Sequence, residues 1–263
     1  MERCVGAIAA ARRHVRREYV SCRRISLKIL YEPLIRIALK LTGSAAMITV
    51  WGEGRGFRVI WLLEEMGLPY KLRQVDLLKG VENDPEFLAI NPGGFIPALV
   101  DGDTTMVESI AIMEYLLARY GDKSKAKLAP APNDPNFGLY QQFLHLGEAG
   151  LGANIQVVVV SGFVAPESER DNWGARWALD QFQNRMKLVK RQLARAPYMA
   201  GDAFTAADIS VAYTFNLAIR RGGIVLDDVE KAYMARVTAR DGYKRTLDAC
   251  PATKGFYESI PPA

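Results

Sequence analysis

The sequence of 263 residues predicts an α/β N-terminal domain followed by an all-α C-terminal helical domain. Three observations lead to this fold class. Residues 47–122 alternate short apolar runs with helical patterns, and they include two strand-like runs joined by an Asp-Gly pair, a strong hairpin signal. Residues 134–263 carry helical patterns throughout. The stretch 123–133 between them is rich in Lys, Ala and Pro, as is typical of a linker.

The first domain begins with a short buried strand at 48–51 and a glycine-rich turn that opens a helix. Gly67 ends that helix as a left-handed cap, with Pro69 just beyond it. Asp84 and Pro85 supply the N-cap and the first residue of a short helix. A parallel strand pair joined through a helix, followed by an antiparallel hairpin, is the thioredoxin-like arrangement. The predicted elements are strand 48–51, helix 57–66, strand 70–77, a short helix ending at 90, strands 98–100 and 104–107, and helix 110–120.

The loop before the hairpin and the start of the last helix form the second feature. Pro97 cannot donate a ladder hydrogen bond, so it belongs at the first residue of a strand, and the tight approach before it suits a cis bond. A cis bond would turn the amide and carbonyl of Ile96 outward, where an extended peptide could pair with them. Glu108 and Ser109 stand where free helix amides and the helix dipole favour a carboxylate. Together these features describe a site for a small acidic peptide.

Residues 91–109, with Trp-Leu-Leu-Glu-Glu-Met-Gly-Leu-Pro-Tyr at 61–70 upstream, closely resemble the glutathione transferase family. The resemblance is strong over 47–121 and weaker beyond. In that family the cis-proline loop holds the cysteine of glutathione, and the Glu-Ser pair holds its γ-glutamyl end. The residues that the resemblance assigns to glutathione binding are Ile96, Pro97, Glu108 and Ser109.

The turn after the first strand departs from the family pattern. Most members place Tyr, Ser or Cys there, whereas Gly-Glu-Gly-Arg-Gly-Phe-Arg at 52–58 has no hydroxyl and no thiol. The nearest pattern is similar to the nu class, whose Thr-Pro-Asn positions fall on Glu53, Gly54 and Arg55. Arg55 is therefore the candidate for stabilising the thiolate, since a guanidinium is a permanently charged donor; the alternative is a solvated surface arginine. Glu53 would oppose a thiolate, so we expect it to orient Arg55 or to contact the substrate.

Phe95 is a second departure. Many relatives carry Lys at this position, where it helps to hold the glycyl carboxylate of glutathione, and Phe95 cannot do so. Lys79 or Arg58 are the candidates to replace it, although each is more often a surface charge.

The helical domain offers weaker functional signals. Thr205 and Asp208 form a capping-box pattern whose role is structural. An electrophile would lie between the domains, a usual place for ligand pockets. The predicted helices are 136–160, 167–194, one that begins after 205, 228–240 and 243–249, and the tail after 251 is loosely specified. Glycines interrupt the first of these helices, and its valines 157–160 are predicted to lie in the core. The candidate pocket residues are Tyr140, Phe143 and His145, although aromatic residues at this spacing are more often core, and Trp173 and Trp177 are predicted to be packing residues.

Composition limits the classes of function. Hydrophobic residues make up 49% and charged residues 24% of the chain, as in soluble globular proteins. The net charge of +5 divides into +7 for residues 1–46, with ten Lys/Arg and three Asp/Glu, and −2 for the rest, with 24 basic and 26 acidic residues. No basic patch therefore argues for nucleic acid. No uninterrupted apolar run reaches the roughly 18 residues of a membrane span.

Residues 1–46 and the cysteines bear on location. The Arg-rich segment is open to three interpretations: a targeting presequence, a basic membrane-surface anchor, or, as we favour, an upstream start that precedes the true one at Met47. Cys4, Cys22 and Cys250 show no metal-ligand spacing and no disulfide framework, so we expect a reducing compartment, the cytoplasm.

The resemblance implies a soluble, homodimeric glutathione transferase of the detoxification type, which uses glutathione as co-substrate, needs no metal, and attacks a small, hydrophobic electrophile. One alternative is a glutathione-binding or protein-interaction module of the same fold without turnover. Another is glutathione-dependent peroxidase or ether-cleaving activity. Disulfide or dehydroascorbate reduction would need a cysteine at the start of the first helix, and residues 47–247 contain none.

Overall fold

In a computed structural model, which describes residues 47–258, the chain opens with a four-stranded mixed sheet in the order β2-β1-β3-β4. Strand β1 (Ile48–Trp51) runs parallel to β2 (Tyr70–Arg73) and antiparallel to β3 (Ala98–Asp101). Strand β3 pairs antiparallel with β4 (Thr104–Val107) through the predicted hairpin. The predicted fold class, a thioredoxin-like α/β part followed by a helical part, is thus confirmed.

Three helices complete the α/β part: α1 (Gly56–Met66), α2 (Pro85–Ile90) and α3 (Ser109–Tyr120). The predicted left-handed cap at Gly67 is present, with φ of 68°. The side chain of Asp84 accepts a hydrogen bond from the amide of Phe87, as expected of an N-cap. The predicted strand 70–77 was too long, because the chain leaves the sheet after Arg73 and enters a tight turn at Leu77–Lys79.

The rest of the described chain is helical. The predicted long helix over 136–160 is present, but its middle is a π-helical turn at Leu146–Gly152, in which main-chain hydrogen bonds join residues five apart. Three glycines cluster in this wide turn. Such wide turns are frequent at functional sites. The helices are α4 (Phe137–His145), α5 (Ala153–Phe163), α6 (Trp173–Leu193), α7 (Ala206–Arg221), α8 (Asp228–Thr238), α9 (Asp241–Ala249) and α10 (Pro251–Glu258).

One predicted boundary in this part was wrong. The helix expected from 167 begins only at Trp173, because a single tight turn at Glu167–Glu169 comes first and Asn172 then caps the helix through the amide of Ala175. The tail after residue 250, which carries no clear pattern, folds as α10.

The helical part packs on α1 through aromatic side chains. Trp61 is fully buried, and its ring lies 4.8 Å from the ring of Tyr243 in α9. The ring of Phe57 lies 6.4 Å from that of Tyr213 in α7 and 6.0 Å from that of Tyr257 in α10. Edge-on and offset aromatic pairs of this kind stabilise beyond the area they bury. Helix α1 is therefore shared by the sheet and the helical part.

Two predictions about packing were wrong. Trp173 is 72% and Trp177 50% exposed, and their rings stack on each other at 6.2 Å instead of packing inward. Val157 and Val160 are also exposed, because only one face of α5 meets α6 and α7.

The helical stretch Phe137–Phe163 contains no uninterrupted apolar run of membrane-spanning length, yet it is long and apolar enough on average to cross a membrane by length and composition. This is weak evidence, because core helices of soluble proteins meet the same criterion. One third of its most apolar window is buried inside the protein. The interpretations of residues 1–46, including Cys4 and Cys22, lie outside the described residues.

Candidate functional site

The turn after β1 lies directly on the Ile96-Pro97 loop. A β-carbon added at Gly52 would fall 2.4 Å from Cγ2 of Ile96, and one added at Gly56 would fall 3.3 Å from Cβ of Pro97. Gly52 and Gly54 both have positive φ, which side-chain-bearing residues rarely adopt. The Ile96–Pro97 bond is cis, as predicted. The glycines in this turn therefore allow the start of α1 and the cis-proline loop to meet.

Glu108 and Ser109 stand at the N-terminus of α3. Within residues 47–258, Glu108 alone among non-glycine residues has a positive φ, 72°, and its side chain is exposed and does not cap the helix. Strain of this kind concentrates at functional sites. Ser109 is buried, and its Oγ accepts a hydrogen bond from Nη1 of Arg58 at 3.3 Å.

Arg55 is the N-cap residue of α1, and it is 30% exposed. Its Nε donates to Oε1 of Glu148 at 2.8 Å. Glu148 lies in the wide turn of the helical part, which the sequence analysis did not single out. The clustered glycines around it were the available signal: a β-carbon at Gly147 would fall 2.2 Å from Oγ of Ser210, so glycine permits this turn to press against α7.

Arg58, one turn further along α1, is fully buried. It contacts the carboxylate of Glu148, and its Nη2 donates to Oγ1 of Thr214 at 2.8 Å. Its guanidinium lies 4.2 Å from the ring centre of Tyr213. The expectation that Arg58 replaces a surface lysine near the glycyl carboxylate is wrong, because its side chain is fully buried and both of its Nη groups donate to partners inside the protein.

Glu148 therefore joins two arginines at the boundary of the α/β and helical parts. Burial by itself raises the pKa of its carboxyl, but the charges of Arg58 and Arg55 outweigh burial and hold that pKa below its ordinary value. The three side chains carry a net charge of +1 when Glu148 is ionised. This arginine cluster, Arg55, Arg58 and Glu148, leaves positive charge at the N-terminus of α1, where the helix dipole adds to it.

Glu53 does not orient Arg55. It is 5% exposed, and its Oε2 accepts a hydrogen bond from the amide of Thr253 at 2.6 Å. Its Oε1 accepts from Nε2 of Gln74 at 2.6 Å and from the amide of Ala252 at 3.3 Å. The expectation that Glu53 orients Arg55 is thus wrong, because the carboxylate that accepts a hydrogen bond from Arg55 belongs to Glu148.

A cavity of about 750 Å³ opens beside this turn. It does not involve Tyr140 and Phe143, which are buried in the core, or His145, whose Nε2 lies 3.4 Å from a carboxylate oxygen of Glu114. Tyr140 and Phe143 are thus core residues, the interpretation that their spacing favours, and none of the three lines this cavity, which forms against α7 and α10. The lining residues are Glu53, Gly54, Gln74, Val75, Asp76, Leu77, Ile96, Tyr213, Leu217, Pro251, Ala252, Thr253 and Tyr257.

The loop that carries Phe95 is held by a buried side chain that the sequence analysis did not single out. Asn91 donates from Nδ2 to the carbonyl of Phe95 at 2.6 Å and accepts from the amide of Gly93 at 3.0 Å. Phe95 itself is 42% exposed. Lys79 is an exposed side chain 3.3 Å from Asp76. No group of three or more potential metal ligands occurs within residues 47–258.

A thioredoxin-like sheet, a cis-proline loop against the first helix and an appended helical part define a class of glutathione-dependent proteins. Comparison with known proteins gives the family. The model "Glutathione S-transferase, N-terminal domain" matches residues 56–119. Glutathione S-transferase 3 of Zea mays is 31% identical over 200 residues, which cover 74% of this chain and 89% of that protein.

Solved structures agree with this result. Glutathione S-transferase III in apo form has a TM-score of 0.66 and 29% identity, over 83% of this chain and 100% of that one. The theta class enzyme from Xanthomonas axonopodis pv. citri, solved with glutathione bound, has a TM-score of 0.66 and 26% identity, over 76% and 97%. The chain belongs to the glutathione S-transferase family. It is a transferase of the glutathione S-transferase type, with glutathione as its co-substrate.

Proposed function

We propose that Arg55 stabilises the thiolate of glutathione, which then attacks a small, apolar electrophile in the cavity beside it. The observation that carries this proposal is the pairing of Arg55 Nε with Glu148. That pairing holds the guanidinium at the start of α1, while neither Nη group donates to any residue in 47–258. A held guanidinium with free donors fits a developing anion without reorganisation.

The energetic demand is moderate. A thiol like that of glutathione has a pKa of about 8.5, and lowering it by about two units requires roughly 2.7 kcal/mol of selective thiolate stabilisation. The arginine cluster and the dipole of α1 both act on the same place, and a cysteine thiol beside a helix N-terminus or a basic group shows shifts of this size. The remaining rate enhancement would come from holding the two reactants together.

The placement of glutathione follows from the same surroundings. The main-chain amide and carbonyl of Ile96, next to Pro97, make no hydrogen bond with residues 47–258 and are available to an extended peptide. The exposed carboxylate of Glu108 would hold the γ-glutamyl ammonium, and the N-terminus of α3 at Ser109 would hold its carboxylate. Ile96, Pro97, Glu108 and Ser109 are therefore proposed as the glutathione-binding residues.

The electrophile would occupy the cavity, whose lining is mainly apolar. Its side walls include Val75, Leu77, Leu217 and Tyr257. Glu53 lies in the same lining and disfavours an anionic group. We therefore infer a neutral, hydrophobic electrophile.

The test compares the purified chain with Arg55→Ala and Arg55→Lys. Glutathione binding is measured by calorimetric titration and the thiolate by its ultraviolet absorption on the complex. We expect Arg55→Ala to keep glutathione affinity within a few-fold but to lose about two units of thiol pKa shift, so that the thiolate fraction, and with it conjugation at pH 7, falls roughly 25-fold. Arg176→Ala, an exposed arginine paired with Asp171, is the matched control. An unchanged thiolate band in Arg55→Ala would remove Arg55 from the mechanism.

A second candidate is a glutathione-holding or protein-interaction module without conjugation. It is favoured by the turn at 52–56, which has no hydroxyl or thiol side chain, and by Phe95 where a carboxylate-binding lysine is common. Binding without a thiolate band supports this candidate, or a peroxide-reducing or ether-cleaving reaction. Absence of glutathione binding contradicts both proposals.

Further properties are proposed on the family resemblance. A homodimer is supported by exposed apolar side chains on the adjacent helices α5 and α6, among them Val160 and Trp173. A cytoplasmic location and a detoxifying role accord with the free, buried thiol of Cys250 and the apolar cavity. The boundaries 1–46, 47–122 and 134–263 stay predictions.

A further inference from the structure

The N-terminus of the last helix is capped by a residue from the other end of the described chain. Helix α10 begins at Pro251, which has no N–H, so its first free amides belong to Ala252 and Thr253. The preceding residue, Cys250, has no side-chain oxygen to accept them. Glu53 accepts both, from Thr253 at 2.6 Å and from Ala252 at 3.3 Å.

The capping carboxylate is itself held in place. Nε2 of Gln74, beyond the end of β2, donates to Oε1 of Glu53 at 2.6 Å. Glu53 is nearly fully buried, so these contacts are shielded from water. A carboxylate is the favoured charge at the positive end of a helix, and hydrogen bonds to an ionised acceptor are stronger than neutral ones.

Helix α10 is also a wall of the electrophile cavity. Its first turn and Tyr257 line the cavity together with Glu53 and Gly54. Glu53 belongs to the turn that packs on Ile96, where glutathione is proposed to bind. One carboxylate therefore connects the proposed thiol site with α10.

We propose that Glu53 is a positioning residue that fixes α10 as the wall of the electrophile site and so supports binding of the electrophile. The consequence for the electrophile rests on the proposed function, whereas the anchoring of α10 does not. Without the carboxylate, the amides of Ala252 and Thr253 lose their acceptor, and the first turn of α10 frays away from the cavity.

The first experiment measures backbone hydrogen exchange by mass spectrometry on the full chain and on Glu53→Gln, which keeps the side-chain volume and removes the charge. We expect peptides from 252–258 to exchange roughly tenfold faster, as for loss of a strong helix cap, with peptides from α1 unchanged. Glu169→Gln, an exposed carboxylate remote from α10, is the control and should match the parent protein.

A second variant acts on the other partner. Thr253→Pro removes the N–H that donates to Glu53, and proline is tolerated in the first turn of a helix. It should reproduce the faster exchange of the rest of α10, and adding Glu53→Gln to it should produce little further change. Unchanged exchange in both single variants would overturn the proposal. So would faster exchange spread over all peptides in both variants, because Glu53 would then stabilise the whole fold and not α10.

Kinetics give the functional readout. In Glu53→Gln we expect the KM for a hydrophobic electrophile such as a halogenated nitrobenzene to rise severalfold, with the KM for glutathione and the bound thiolate band unchanged. A fall in kcat with an altered thiolate band and an unchanged electrophile KM would instead make Glu53 part of the thiol chemistry and overturn the positioning role. If the parent chain conjugates nothing, the proposed function fails, and the exchange measurement alone decides whether Glu53 anchors α10.

Discussion

Arg58 is the residue whose role differs most from the sequence-based expectation. A guanidinium with no exposure at all carries a desolvation cost that only its partners offset, and those partners come from three separate parts of the chain: Ser109, Glu148 and Thr214. From the sequence alone, an isolated arginine in a helical pattern is predicted to be a surface charge. Only the packing of the helical part against α1 turns it into a buried centre.

Glu148→Gln is expected to lower the free energy of unfolding by about 3 kcal/mol at neutral pH, because it leaves Arg58 buried without a counter-charge. The pKa of Glu148 is held below its ordinary value of 4.5 in the folded chain, so its contribution is present above pH 4.5 and is lost as the pH falls through the folded pKa. The difference in urea-unfolding free energy between parent and variant should therefore shrink below pH 4.5. A difference that is the same at pH 7 and at pH 3.5 would contradict this account.

Asp208 shows a purely structural carboxylate, as the capping-box pattern predicts. It is fully buried, and its oxygens accept from the amides of Met199 at 2.9 Å and Thr205 at 2.8 Å, and from the hydroxyl of Tyr233 at 3.1 Å. Burial raises its pKa to about 6, although these donors favour the ionised form.

Asp208→Asn should cost about 2–3 kcal/mol of stability at pH 7, because one acceptor oxygen becomes an amide group facing a donor. Thermal and urea unfolding at matched pH measure this cost. Asp180→Asn, on α6, is the control and should stay within about 0.5 kcal/mol. A fully stable Asp208→Asn that loses conjugation would instead indicate a direct role in the reaction.

At the scale of elements, the wide turn at Leu146–Gly152 decides where the site forms. It brings Glu148 to the two arginines, and the carbonyl of Gly147 accepts hydrogen bonds from Thr214 at 2.7 Å and Arg58 at 3.3 Å. The glycine cluster in the sequence indicated an interrupted helix. It did not indicate which residue the interruption would present.

Gly147→Ala is expected to destabilise the chain by about 2 kcal/mol, because the added β-carbon would lie 2.2 Å from Oγ and 2.6 Å from the carbonyl carbon of Ser210. Gly138→Ala on α4 is the matched control: nothing lies within 4 Å of its β-carbon, and alanine favours a helix. Denaturant unfolding of both variants should separate them by more than 2 kcal/mol. Equal stability would show that α7 shifts without cost.

Helices α5 and α6 show how periodicity misleads when a face is left open. Two tryptophans four residues apart predict a packed stripe, yet Trp173 and Trp177 stack on each other in solvent. The sequence pattern records that the residues share a face, and it does not record whether another element covers that face.

At the scale of the molecule, α1 joins the α/β and helical parts. Two ion pairs join α1 to α9. Oε2 of Glu65 lies 2.7 Å from Nη2 of Arg240, the N-cap residue of α9, and Oε2 of Glu64 lies 2.7 Å from Nε of Arg245 within α9. With the aromatic contacts of Trp61, this contact area indicates that the two parts unfold together.

A chain that begins at Met47 is expected to fold and to bind glutathione with the affinity of the full chain, because every contact described for the site lies within residues 52–257. Calorimetric titration and thermal unfolding of both forms test this. A tenfold weaker affinity in the shortened chain would show that residues 1–46 contribute to the site.

The proposed homodimer can be tested through the open α5–α6 face. We expect sedimentation velocity to show a dimer, and the double variant Val160→Lys, Trp173→Lys to shift it to monomer because two charges would have to be desolvated at the interface. Val225→Lys, at an exposed valine that follows α7, is the control. A parent chain that sediments as a monomer at micromolar concentration would contradict the proposal.

The sequence by itself determined the fold class, the hairpin, the cis-proline loop, the cap at Gly67, the capping box of Thr205 and Asp208 and, through the resemblance, the family. These features depend on local chemistry: a glycine at positive φ, a proline without a donor, a carboxylate three residues from its cap. The tertiary structure alone decided that Arg58 is buried, that Glu148 pairs with Arg55, and that Glu53 caps α10 two hundred residues away. Such contacts join side chains that share no periodicity and no sequence neighbourhood, because burial of a charge depends on which distant element supplies its partner.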